Sequence, residues 1–333
     1  MKTIISIGVA VLCVLSTGCD SSVGRASSAA NGAGVVKPSV RVGTLKPQAL
    51  AIVKKGLSHD NAYIRNHAVE IVAATRSREF MPDILERLGD TSTAVRFAAA
   101  SAIGDMQCFG YEKQVARLLD DANENVRIAA AYALVKLNQP EHHAILRQAA
   151  THPDPTVRAN AVLLLGKLGN RDDLALLYEV LGASDSQDKV RLQAVESIAR
   201  LGDEQMYRSK LWALLISKYA DDRVMGIRGM GALKTPEAVN AIVIMLQDDV
   251  LEVRLAAAEQ LGQLGDKRGQ EEVYAYFQSS PNLNQVDMAN NMAVTAIGRI
   301  GADRLTAYLP DAFASESEYI QLLAAQAVLL LTR

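Results

Sequence analysis

The sequence predicts an all-α protein, an array of about nine stacked two-helix repeats, and three observations predict it. A unit running from Asp90 to Gly104 returns as Asp121 to Val135, Val157 to Gly166, Asp185 to Ala199 and Asp248 to Gly262, with a weaker copy at Asp60 to Val72. The arginine of each copy falls at Arg65, Arg96, Arg127, Arg158, Arg191 and Arg254; the first three intervals are 31 residues and the next is 33. Apolar residues inside a copy sit on one helical stripe, as Val95, Ala98, Ala99, Ala102 and Ile103 do. A helix pair of this length cannot hide its apolar face alone, so units that recur at this period must stack.

The totals agree with that reading. Apolar residues make up 49% of the 333-residue chain and aromatics only 5%, a mix suited to close packing of helices on small side chains. The formal net charge is −2, with no basic footprint for a phosphate backbone, which excludes nucleic acid as a partner class.

In chain order, Lys2 and the apolar run Ile4 to Leu15 are too short to span a bilayer and end in Leu15-Ser16-Thr17-Gly18-Cys19. Small residues before a cysteine resemble the lipobox of bacterial lipoprotein signal peptides. That resemblance implies removal of residues 1–18, a lipid on Cys19, and residence in a bacterial cell envelope, on the inner or outer membrane and facing the periplasm. An ordinary secretory signal cut nearby is the alternative. Residues 19–46, rich in Ser, Ala and Gly, are expected to be a flexible tether, and residues 47–333 the repeat array. Cys108 is then the one cysteine inside the array, so no disulfide forms within it.

Within each repeat a variable first helix precedes the Val-Arg helix. Asn61, Ser92, Asn123 and Asp154 stand four residues before their arginines and are expected as N-caps, with Pro155 in the first helical turn. Gly104, Gly166 and Gly262 are expected to close their helices. Three copies are degraded: Met225, Asn290 and Gln321 stand at the arginine position, and Ser279 to Asn284 reads as a surface insertion. The last helix, apolar through Ala327 to Leu331, either packs on its own repeat or offers a contact for self-association.

The recurring Asp-x-x-x-x-Val-Arg-x-x-Ala-x-x-x-Leu-Gly resembles the short HEAT-like repeats of phycobilisome bilin lyases. The resemblance implies a right-handed α-α superhelix whose Val-Arg helices line the concave side. It also implies a hydrogen-bonded ladder between repeats, carried here by Asp90, Arg96, Asp121, Arg127, Arg158, Asp185, Arg191, Asp248 and Arg254. An arginine fork can satisfy turn carbonyls and a neighbouring carboxylate together. A structural contact is needed once per repeat and an active site only once, so the repetition argues against catalysis.

HEAT-like arrays also build bilin lyases and an iron-dependent hydroxylase that uses paired His-Glu motifs, which makes an enzyme or enzyme subunit the alternative class. This chain has no His-Glu dipeptide, and Glu141-His142-His143 is the nearest approach. No phosphate loop, nucleophile–base pair or metal-ligand spacing is present, so neither cofactor nor metal is expected. The remaining candidate is surface. Phe97, Ile128, Leu192, Leu255 and Leu322 stand two places after the valine or its equivalent, about 200° from the stripe at 100° per residue, and Tyr132 stands four further along from Ile128. Either neighbouring repeats half-cover this column or it is a concave apolar groove for a protein partner. The expectation is a non-catalytic, lipid-anchored scaffold that binds a protein partner.

Overall fold

A computed structural model describes residues 37–333, and the signal segment, Cys19 and most of the expected tether lie outside the described residues. The described residues form helices and turns, with no strand among them. The α-helices are α1 (Lys46–Leu57), α2 (Ala62–Thr75), α3 (Met81–Arg87), α4 (Thr93–Asp105), α5 (Glu112–Ala116), α6 (Glu124–Lys136), α7 (His143–Ala149), α8 (Pro155–Leu168), α9 (Leu174–Gly182) and α10 (Asp188–Arg200). They continue as α11 (Trp212–Leu215), α12 (Ala220–Leu233), α13 (Pro236–Ile244), α14 (Leu251–Gln263), α15 (Gln270–Gln278), α16 (Met288–Ile300), α17 (Asp303–Thr306), α18 (Leu309–Phe313) and α19 (Glu318–Leu331).

The repeated unit forms α2, α4, α6, α8, α10, α12, α14, α16 and α19. Each of these packs on the next along the series, while the first helices barely touch one another. Crowding on one side and spacing on the other bends the array, so the repeated-unit helices lie on its inside. The N-caps form where the sequence places them at Asn61, Asn123 and Asp154, whose side chains accept from Tyr63, Asn125 and Thr156. Ser92 occupies the cap position without a side-chain bond, and Asp90 accepts its N–H instead.

The bend carries the chain back to its start. α19 packs against α1 and α2, so the array closes on itself and has no free terminal repeat. Leu322 fills this seam opposite Gly56, where an added Cβ would stand 3.1 Å from its Cδ2. Tyr319 stacks on His67 at 4.4 Å and on Tyr63 at 5.4 Å between ring centroids. Glu318 pairs with Lys55 at 2.7 Å and His59 at 2.8 Å, and Lys46 donates to the Thr332 carbonyl at 3.1 Å. Ahead of α1, Lys37 pairs with Asp311 and the Val40 amide donates to Thr306, so residues 37–40 lie against the ninth repeat. The apolar end of α19, read from the sequence as packing on its own repeat or as a contact for self-association, packs within the array: Val328 and Leu329 are buried and Leu330 and Leu331 half-buried.

The same closeness overturns two expectations. Gly104, Gly166 and Gly262 do not end their helices but lie inside α4, α8 and α14. They mark where successive inner helices touch. A Cβ on Gly104 would stand 2.8 Å from Ala133 Cα, and one on Gly298 2.5 Å from Ala327 Cα. The left-handed closing residues lie beyond them, at Gly169 and Gly301. Gly298→Val is therefore expected to lower stability by roughly 1–3 kcal/mol through overpacking, read from the denaturation midpoint. Gly182→Ala, whose methyl would meet nothing within 4 Å, should leave the midpoint nearly unchanged.

The concave stripe is the other correction. An inner helix has a first helix beneath it and an inner helix on either flank, so three of its sides are covered. Phe97 (8% exposed), Ile128 (0%), Leu255 (0%) and Leu322 (1%) meet a flanking helix, not solvent. Leu192 alone of this column is only half-buried.

Candidate functional site

The ladder follows a two-part rule. Arg65, Arg96, Arg223 and Arg254 turn Nη1 back to the carbonyl six residues earlier and another nitrogen forward to a carboxylate of the next repeat, while Arg158 sends Nη1 itself forward. Arg65 bonds the Asp90 carboxylate at 2.8 and 2.7 Å and the Asp60 carbonyl at 2.8 Å. Its Nη1 also reaches the His59 carbonyl, six residues earlier, at 2.8 Å. Arg96 bonds Asp121 at 2.8 and 2.9 Å and the Asp90 carbonyl at 2.9 Å. Arg158 reaches Asp185 at 2.7 Å. In the pairs Asp90/Arg96, Asp121/Arg127 and Asp248/Arg254 the Asp and Arg six apart thus meet through a backbone carbonyl. The carboxylates of Asp90, Asp121, Asp185 and Asp248 serve the preceding repeat. Asp90 and Asp121 also accept an amide of their own turn, from Ser92 and Asn123, each at 2.8 Å.

The ladder corrects the reading of the sixth repeat. Arg223, not the Met225 position, carries the role: it bonds Asp248 at 2.8 Å and the Ser217 carbonyl at 3.0 Å. Arg254 holds the Asp248 carbonyl at 2.9 Å and turns forward to Glu272 at 2.6 Å.

Two rungs lack their carboxylate. Arg127 bonds the Asp121 carbonyl at 2.8 Å and pairs with Glu124 in its own repeat. His152 replaces the next turn's aspartate and accepts the Asp154 amide at 3.0 Å. Arg191 has only the Ala183 carbonyl, at 3.3 Å, because Ile216 and Ser217 stand where an aspartate would be. His143 and Arg147 make a further tie that sequence reading missed, holding the fully buried Asp173 at 2.9 and 2.6 Å. Its only sequence signal was a basic pair one helical turn apart.

Tyr132 is no partner contact either. Its hydroxyl donates to Asp105 at 2.5 Å, and Lys167 pairs with the same carboxylate at 2.6 Å while lying 5.2 Å over the Tyr132 ring. Burial, with the nearby Asp105 charge, pushes the Tyr132 hydroxyl far above its ordinary value. The trio clasps repeats two, three and four. Cys108 is buried against Met81, and burial raises its thiol pKa, which disfavours the reactive thiolate. Among the described residues, no group of three or more His, Cys, Asp or Glu could hold a metal ion, and no helix is long and apolar enough to cross a membrane.

One opening lies between α10 and α12, at the junction with the weakest rung, and a wider, more open one lies among Ser58, His59, Arg65, Glu86 and Asp90. Leu192, Gln193 and Glu196 face Leu214, Met225 and Arg228 around a notch of about 20 Å³. Glu196 pairs with Arg200, while half-buried Arg228 has no ion pair among the described residues. Nearby, a π-helical turn at Tyr207–Leu211 precedes α11, with Trp212, Ile216 and Tyr219 exposed on the outer side.

These helix pairs, ladder and closely packed inner helices define an α-helical repeat array, and comparison supplies the family. A model described as HEAT repeats matches residues 50–120, 111–199 and 208–283, and the chain belongs to that family. An uncharacterized phycocyanin operon protein Z of Pseudanabaena tenuis is 27% identical over 157 residues, 45% of this chain and 77% of that protein. Among solved structures, the CpcE–CpcF complex of phycocyanin lyase from Nostoc is similar with a TM-score of 0.42 and 16% identity, covering 74% of this chain and 93% of that one. Human deoxyhypusine hydroxylase gives 0.39 and 17%, covering 78% and 99%. These structural likenesses are of the helical array alone.

Proposed function

We propose that this chain is a non-catalytic, lipid-anchored HEAT-repeat scaffold that holds a protein partner in a bacterial cell envelope. One observation carries the reading. The repeated polar residues are spent on joining repeats, and the apolar column of the inner helices is buried at Phe97, Ile128, Leu255 and Leu322 but half-buried at Leu192, beside the notch between α10 and α12. There Leu192, Met225 and the unpaired Arg228 remain for another molecule. An apolar pair beside an unmatched cation suits a partner side chain or segment of mixed apolar and acidic character. The anchor rests on the Leu15 to Cys19 pattern, with the ring facing the periplasm.

A photo-crosslinker in place of Leu192 or Met225 is expected to trap one protein in cells, and the same group at exposed Lys113 on the outer side is not. Leu192→Glu should weaken that association by at least about tenfold while helix content stays unchanged. Equal trapping from all three positions would remove the notch from consideration. The anchor has its own readout, the mass of an acylated N-terminal peptide beginning at Cys19.

A further inference from the structure

We propose that the outer side of the sixth repeat is a membrane-contact site that takes an anionic lipid surface. It rests on the anchored reading above only for bringing the bilayer near. Trp212 (40% exposed), Ile216 (68%) and Tyr219 (60%) stand in solvent, although large apolar side chains are otherwise packed away along most of the ring. The π-helical turn at Tyr207–Leu211 leads into this stretch, in which Leu211 and Leu215 point into the repeat and Trp212 and Ile216, one turn apart, point out. Tyr207 lies 6.2 Å from Trp212 between ring centroids.

The exposed face of this stretch carries cations, with Asp203, Glu204, Asp221 and Asp222 set at its two ends. Residues 205–219 contain Arg208, Lys210 and Lys218 and no Asp or Glu, in a chain whose net charge is −2. All three cations are exposed, and none has an ion pair among the described residues. Lys218 Nζ lies 4.8 Å over the Tyr219 ring, so its stem covers apolar surface while its charge stays at the rim. Indole and phenol rings flanked by lysines suit the depth at which headgroups give way to acyl chains. A protein partner would need acidic groups fitted to three mobile cations, whereas an anionic lipid surface matches them without fixed geometry.

From Cys19 to Lys37 the chain can extend at most about 60 Å, so a lipid on Cys19 keeps residue 37 within that distance of the bilayer. Stable membrane residence generally takes two signals, one form of which is an acyl chain with a basic patch.

Trp212 is the one tryptophan of the chain, so its fluorescence reports this site alone. The test uses the full chain carrying Cys19→Ser, which removes the lipid and leaves the patch. With vesicles containing phosphatidylglycerol, Trp212 emission is expected to shift to the blue and to be quenched by brominated acyl chains. Phosphatidylcholine vesicles should give neither effect. Lys210→Gln with Lys218→Gln should lower partitioning roughly 30-fold, with an unchanged circular dichroism spectrum. No shift with anionic vesicles, or an equal shift with neutral ones, would overturn the proposal, as would a shift that requires a second protein. Acylation at Cys19 is read separately by mass, so either idea can fail without the other.

Discussion

Arg65→Met is expected to destabilise the ring by about 3 kcal/mol, because it strips a nearly buried carboxylate of its principal counter-charge. In the ion pair the side chains of Arg65 and Asp90 are 10% and 3% exposed, and the guanidinium grips both carboxylate oxygens. Methionine replaces the stem but not the fork, so Asp90 keeps its burial and loses its main counter-charge, with Arg87 left at 3.5 Å. Arg158→Met makes the useful comparison. Its partner Asp185 is 72% exposed, so water takes over the carboxylate and the loss should be clearly smaller. Equal losses at the two rungs would mean that the arginines act through packing and not through the buried charge.

The pH dependence of the same variant carries the sign. In Asp90 burial pushes the carboxyl pKa up, but the Arg65 hydrogen bonds, the Ser92 amide and the nearby arginine charges outweigh it and hold the value below the usual range. Asp121 is held down in the same direction, first by Arg96. A depressed folded pKa gives stability that is complete above the unfolded value of about 4 and is lost as pH falls through the folded one. Without Arg65 the Ser92 amide and the Arg87 charge still oppose burial, but the strongest of the opposing interactions is gone, so the Asp90 carboxyl moves back up. The gap between parent and variant should therefore be widest near neutral pH and narrow below about pH 4, as denaturation midpoints across that range would show.

Repetition made the fold legible. Nine copies of one pattern, seven of them with an arginine at a nearly constant interval, specify stacked helix pairs whatever each copy does alone. Arg223 escaped because Asp222 replaces the valine that usually precedes the arginine, though its distances of 32 and 31 residues from Arg191 and Arg254 hold the period. The concave stripe misled for a physical reason: an amphipathic reading assumes one buried face, and a helix flanked by two equals has three. Phe97 and Ile128 are apolar because they touch the adjacent repeat. The glycines misled similarly, since Gly104 looks like a helix end in sequence and is a contact point in space. Closure had no local signal, because it depends on a small bend summed over nine repeats. Only the tyrosine shared by the first and last copies, Tyr63 and Tyr319, and the Leu322 side chain set against Gly56 hint at a seam.

That seam leads to the second large effect. Leu322→Ala removes a side chain only 1% exposed where α19 meets α1, and a buried leucine-to-alanine change costs about 2–5 kcal/mol. In an open solenoid a loss at the last repeat only adds to fraying that is already present, because each unit is held by its neighbours alone. In the closed ring the end units have partners on both sides, so in the parent protein the amides of α1 and α19 should be as protected from exchange as those of α6 and α8. Leu322→Ala should then act on the seam, with exchange in α1 and α19 rising at least about 30-fold for a local loss of 2 kcal/mol while α6 and α8 keep their protection. Leu255→Ala is the control: it empties the equivalent position on α14, away from the join, at a similar cost. If that change loosens α1 and α19 as much as Leu322→Ala does, the ring melts as a single unit. If the parent already exchanges freely at both ends, the seam does not hold in solution, and the first and last repeats behave as ordinary frayed ends.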